Sequence, residues 1–336
     1  MNQDSVTVNR IDWLRSFPIL QLSKALRMGF RLRTFLPCLL VSACFIISSF
    51  SISEVELSID DDHWTVFSSP LSLPAPLSHV SEAVGSLGPN CPKPVTELLY
   101  GCAAYLLITT FLGITVARST ATEFCTATRT GAIQSLLFTA QHILSGLAAV
   151  TIMCLLASVP VVLLWLFGKI AIGIGTDSEL LENVSVILGM PMAAFVIVTT
   201  IVCGLAWLFS IAAIGTDRCS GSDACSRGIC YVLSHKAYAL LIVFVAVVLS
   251  NIGAGIIRWL IWHAIRIARS ELTPLTILSE GHTSETLATT MSVILANTIQ
   301  LGVLFSGLTI GYILLRKAED AVPLREIDGA IASTSQ

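Results

Sequence analysis

NVSVILGMPMAAFVIVTTIVCGLAWLFSIAAIGT, residues 183–216, runs for thirty-four positions without one Asp, Glu, Lys or Arg. The hydrocarbon of a bilayer takes about 20 apolar residues as a helix, so this stretch is long enough to cross once, with residues to spare for tilt or headgroup turns. The rest of the chain agrees with it. Of 336 residues, 54% are hydrophobic and 12% charged, against about 25% charged in soluble domains, and the mean hydropathy is +0.81. These values describe a multi-pass membrane protein. A net charge of -3 implies no particular partner, and no basic stripe with interleaved aromatics points to nucleic acid.

Working outward, apolar segments predict an all-α, six-span transmembrane bundle over residues 34–316. The spans cover about 35–52, 98–117, 143–167, 185–214, 238–257 and 291–315. Ahead of them, residues 1–33 form a basic juxtamembrane segment with Arg10, Arg15, Lys24, Arg27, Arg31 and Arg33. Apolar residues at helical spacing between these charges suit a helix lying on the membrane, with its basic face toward anionic headgroups. The other reading is that the charges simply orient the first span. Residues 53–95 form a long outer loop, acidic and proline-rich. Its Asp60-Asp61-Asp62-His63 lacks the alternating ligands and turn glycine of a calcium loop, and reads as a solvated acidic stretch. After span five, Arg258, His263, Arg266 and Arg269 punctuate apolar residues beside Trp259 and Trp262, which predicts a bend into an interfacial helix. Residues 317–336 make a charged tail.

Six spans place both termini on one side. Fourteen of the nineteen Lys and Arg residues then fall on that side, and thirteen of the twenty-two acids on the other. By the positive-inside rule the termini are cytoplasmic.

The segments before the odd-numbered spans look alike. Ala25-Leu26-Arg27-Met28-Gly29 and Ala127-Thr128-Arg129-Thr130-Gly131 fit A-x-R-x-G, and Ala224-Cys225-Ser226-Arg227-Gly228 fits with its arginine one place late. This suggests three hairpins, each opened by a short helix whose arginine, Arg27, Arg129 or Arg227, meets headgroups or a protein partner.

Several stretches carry a resemblance: Pro76-Leu77-Ser78-His79-Val80 leading to Leu98-Leu99-Tyr100; Gly113 to Ala121 with Arg118; Gly215-Thr216-Asp217 with Asp223 to Arg227 and Tyr231-Val232; and Tyr312 to Lys317 with Asp320. Through them, over most of its length, the chain resembles a family of uncharacterised bacterial multi-pass integral membrane proteins. In general arrangement it is also similar to the membrane domains attached to some glycerophosphodiesterases. It departs from the family near Arg118, where a glycine pair and an isoleucine are usual, and between Asp217 and Asp223, where it carries extra residues. The resemblance implies fold and location, and no activity.

Catalytic chemistry has no starting residue in the sequence. There is no H-E-x-x-H, G-x-S-x-G or phosphate loop, and the Cys219, Cys225 and Cys230 spacings are not those of a zinc site. The expectation is therefore a non-enzyme without metal or cofactor. No span carries a charged residue at its middle, as ion-coupled carriers generally require. Its polar positions are Asn251, Asn297 and Gln300, the last two on one helical face, a pattern used more often for helix packing than for substrate. Gly307 and Gly311 form a G-x-x-x-G that serves close packing within the chain. Two functions fit: a scaffold, assembly or lipid-organising component with the bilayer, a membrane-protein partner or a second copy as its partners; or a small-molecule or lipid transporter or channel. The first predicts that Arg27, Arg129 and Arg227 matter, the second that Asn297 and Gln300 do.

Overall fold

The computed structural model describes residues 18–50, 95–126, 131–173, 179–272 and 282–319. Arg129, the outer loop up to residue 94 with its Asp60–His63 stretch, residues 1–17 and the tail beyond 319 lie outside them. A 3-10 turn, Pro18–Ser23, leads into nine helices among the described residues: α1 (Lys24–Gly29), α2 (Leu32–Phe50), α3 (Val95–Thr126), α4 (Ala132–Gln141), α5 (Ile143–Gly173), α6 (Glu179–Asp217), α7 (Gly221–Ser234), α8 (Lys236–Leu272) and α9 (His282–Glu319). The order short, long, long therefore occurs three times. Arg27 lies in the first of the short helices and Arg227 in the third.

The contacts repeat as well. α3, α6 and α9 pack on one another and form the core. α3 and α6 run parallel, since Gly113 faces Ile211 and Gly215 faces Ala117. Each short helix packs on a core helix, α4 on α3, α7 on α6 and α1 on α9, which joins the first unit to the last. α2, α5 and α8 flank this core.

Four helices are long and apolar enough to cross a membrane, among the described residues: Ile143–Lys169, Gly189–Asp217, Lys236–Ala264 and Met291–Glu319. The least hydropathic of them is by far the most buried. The Ile143–Lys169 segment is among the most hydropathic and is 17% buried, whereas Met291–Glu319 is the least hydropathic and 89% buried. Leu144, Leu155, Val159 and Trp165 stand exposed along α5, a face that lipid can cover and water cannot without cost. By contrast α9 buries Asn297, Thr298, Gln300, Ser306 and Thr309. A helix surrounded by protein has partners for such groups, and one facing hydrocarbon has none.

Several boundaries differ from the sequence reading. α3 does not stop at residue 117 but continues to Thr126, burying Arg118, Ser119, Thr120 and Thr122 against its neighbours. α8 does not bend after residue 257. It stays one helix to Leu272, in which Trp259 and Trp262 pack on His263. Intrahelical hydrogen bonds outweigh the interfacial preference there, and at about 1.5 Å per residue the helix is longer than a hydrocarbon core is thick. α5 and α6 continue through Pro160 and Pro191. The basic segment's helix does not lie with its apolar face toward lipid. Leu22, Ala25 and Met28 are buried, and a Cβ at Gly29 would meet Val303 of α9.

Gly307 and Gly311 face α8, as the G-x-x-x-G reading expected. A Cβ on Gly311 would lie 2.1 Å from Ile242 Cγ2, and one on Gly307 would lie 3.0 Å from Ala246 Cβ. Gly311→Ala is therefore expected to cost about 1–3 kcal/mol by overpacking. Gly204→Ala, whose added Cβ meets open space, should leave stability unchanged or slightly raised. Thermal unfolding of the two variants in mild detergent checks this contrast.

Candidate functional site

α6 ends in Ala213-Ile214-Gly215-Thr216-Asp217, and the close approach of Gly215 to Ala117 draws that end tightly against α3. Arg218 then takes a left-handed backbone, φ 56°, while its N–H still donates to Ile214 O. Glycine is the usual residue at such a helix exit, and an arginine there carries a cost of order 1 kcal/mol. Two residues on, Ser220 accepts a hydrogen bond from the Asp223 N–H and caps α7.

This turn places Asp217 at the centre of a polar cluster. The carboxylate is 5% exposed. Its Oδ2 accepts from Arg227 Nη1 of α7 at 2.7 Å and from the Tyr312 hydroxyl of α9 at 2.7 Å, and its Oδ1 accepts from Arg316 Nη1. Tyr231 of α7 packs on the Tyr312 ring. One carboxylate thus fastens the end of α6 to α7 and α9. A buried acid held by two guanidiniums and a phenol has its acceptor capacity filled, which is the chemistry of a structural clasp.

Beside it lies a second cluster. Arg118 of α3, 7% exposed, sets its guanidinium 4.6 Å from the ring centroid of Phe138 in α4, and Arg218 lies 5.8 Å from the same ring. Phe138 in turn stacks on His142, and Thr115 and Thr139 bond across α3 and α4 at 2.9 Å. Among the described residues no hydrogen bond reaches Arg118 Nη1 or Arg218 Nε. Burial first, and Arg218 second, push the Arg118 guanidinium down to about 10, below the ordinary arginine value. A third cluster joins Arg31 and Arg33, at the α1–α2 turn, to Glu123 of α3.

Of the residues singled out from sequence, Arg227 belongs to the Asp217 clasp, while Arg27 stands exposed on α1 and joins neither cluster. Asn251 and Gln300 come together: Gln300 Nε2 donates to Asn251 Oδ1 at 3.0 Å, and Asn251 Nδ2 donates to Val247 O. They tie α8 to α9 by the packing role expected of such residues. Asn297 is buried on α9, one turn away. Read from sequence, the neighbouring spans end at residues 214 and 117, and neither Asp217 nor Arg118 is singled out as a buried charge. The available signal was position, since an ionisable residue directly after a long uncharged run is held where that helix packs.

Compared with known proteins, the chain matches no family model, no curated protein and no solved structure.

Two outcomes follow from this geometry. Asp217→Asn takes the carboxylate from Arg316, 18% exposed, and is expected to cost about 3 kcal/mol; Arg227, 39% exposed, adds little. A thermal-unfolding cycle with Arg316→Gln should be strongly non-additive, and additivity would contradict the clasp. The Cys219 thiol is pushed up to about 11, by burial first and by Asp217 second. Because the thiolate is the nucleophile, alkylation of Cys219 in detergent-purified protein should be slow at pH 7–8 and quicken about tenfold per pH unit until pH approaches 11.

Proposed function

We propose that the chain crosses the bacterial cytoplasmic membrane six times with both termini inside, and serves without enzymatic chemistry as a scaffold, assembly or lipid-organising component. The observation that carries this reading is where charge and polarity sit. Arg118, Arg218 and Arg316 stand near the C-terminal ends of the three parallel core helices, with Glu123, Asp217 and Arg227 around them. Within the helices, polar groups bond to one another, as in Gln300 to Asn251, Trp207 Nε1 to Thr110 and Thr120 to Ser306. Groups satisfied in this way hold helices together in lipid. α2 and α3 supply spans one and two. Residues 98–117 of α3 carry no Asp, Glu, Lys or Arg, and the helix buries Leu112, Ile114 and Val116 in the core.

In this reading the arginine-bearing end meets headgroups or a membrane-protein partner. The residues that carry the family resemblance, Arg118, Asp217, Arg227, Tyr231 and Tyr312, converge at that end, and this also supports the reading. A transporter working through the polar face of α9 is the competing function.

Two experiments decide. In intact cells an impermeant thiol reagent should label Cys91 and spare Cys230, which is exposed in the fold and a better inner-side reporter than the slow Cys219. Labelling of both alike would overturn the sidedness. Arg27→Gln and Arg129→Gln should lower the lipid or protein that copurifies in mild detergent, while Asn297→Leu leaves it unchanged. Solute flux through vesicles of purified protein that is lost in Asn297→Leu would replace the scaffold reading with transport.

A further inference from the structure

The Arg118–Arg218 pair has no counter-charge among the described residues. The acids nearest in sequence are already engaged: Glu123 by Arg31 and Arg33, Asp217 by Arg227 and Arg316. Two like charges held against one aromatic ring, one of them almost fully buried with an unbonded Nη1, make an uncompensated positive site. Burying such a charge without a partner costs several kcal/mol, and the left-handed backbone of Arg218 adds to the cost of keeping its side chain in place. An arrangement this expensive is explained by an anion that completes it.

The surroundings indicate which anion. A guanidinium offers a planar fork of donors that matches phosphate oxygens two at a time, and Arg218, part-exposed, gives the pair a face toward the surface. α4 turns Ser135, Phe138 and Thr139 inward, whereas Ile133 is 73% and Leu137 59% exposed on its other side, and Leu144 is 76% exposed at the start of α5. A buried, part-exposed pair of cations beside an apolar helix face suits a molecule with a phosphate and acyl chains.

We propose that Arg118 and Arg218 bind a phosphate group, supplied by the headgroup of an anionic phospholipid whose chains lie along Ile133, Leu137 and Leu144. The proposal rests on the reading of this end of the bundle as its headgroup end, and it identifies the site.

The test uses the full chain in mild detergent, stripped of lipid, with phosphatidylglycerol, diacylglycerol or inorganic phosphate added, read by native mass spectrometry and thermal unfolding. Wild type should retain phosphatidylglycerol and be stabilised by it, and should ignore diacylglycerol. Arg118→Gln and Arg218→Gln should each bind it about tenfold more weakly or worse, the effect of losing one charge-assisted contact. Without lipid, Arg118→Gln should melt at or above the wild-type temperature, because it removes an unpaired buried charge; Arg118→Lys, which keeps the charge and loses the fork, should also bind more weakly. If inorganic phosphate alone stabilises wild type but not Arg118→Gln, and the lipid adds nothing, the phosphate site stands and its lipid source is overturned. Equal phosphatidylglycerol binding by wild type and variants overturns the site while leaving the headgroup reading intact. No response of wild type to lipid or phosphate overturns both.

Discussion

Hydrocarbon offers a polar group no partner, and the arrangement of this protein follows from that one constraint. Each hydroxyl, amide or charge carried by a long helix must find its partner inside the protein or at the edge of the bilayer. The least hydropathic of the four lipid-length segments is accordingly the best buried, with its Thr, Ser, Asn and Gln turned toward neighbours, while the most apolar helices take the outside. Lipid is as apolar as leucine, so greasy surface cannot by itself pull helices together. Close approach does that work. Gly311 lies against Ile242, Gly215 against Ala117 and Gly29 against Val303, each with no room for a side chain, and interhelical bonds such as Gln300 to Asn251 fix the register.

The threefold recurrence of short, long and long helices gives the molecule a core of three parallel helices, each with an arginine near its C-terminal end: Arg118, Arg218 and Arg316. Three equivalent cations so close together would repel. The three arginines differ in what surrounds them. In α6 an acid, Asp217, directly precedes the arginine and captures Arg316 from α9, with Arg227 and Tyr312 completing its shell. In α3 the residue directly before Arg118 is Ala117, which packs against Gly215 and offers Arg118 no charge.

Much of this was legible in the sequence. Runs without charge located the long helices, and Gly307 with Gly311 indicated a close crossing. The positions of those elements depend only on local pattern and on the length of helix a bilayer demands. Less legible were the ends. The second span is read to stop at residue 117 because a charge after an apolar run resembles an exit into water; the helix in fact continues to Thr126, because α4 and α6 cover it. The charges after Ile257 suggested a bend out of the helix for the same reason, and α8 continues as helix through them to Leu272.

By itself, then, the sequence determined that this protein is helical and membrane-embedded, because hydropathy and spacing are properties of each segment in isolation. Which helix became the axis, which arginine found Asp217 and which was left facing Phe138 were decided only by tertiary structure. Those outcomes depend on which surfaces meet at distances where a methyl group or a carboxylate changes the result, and no segment carries that information alone.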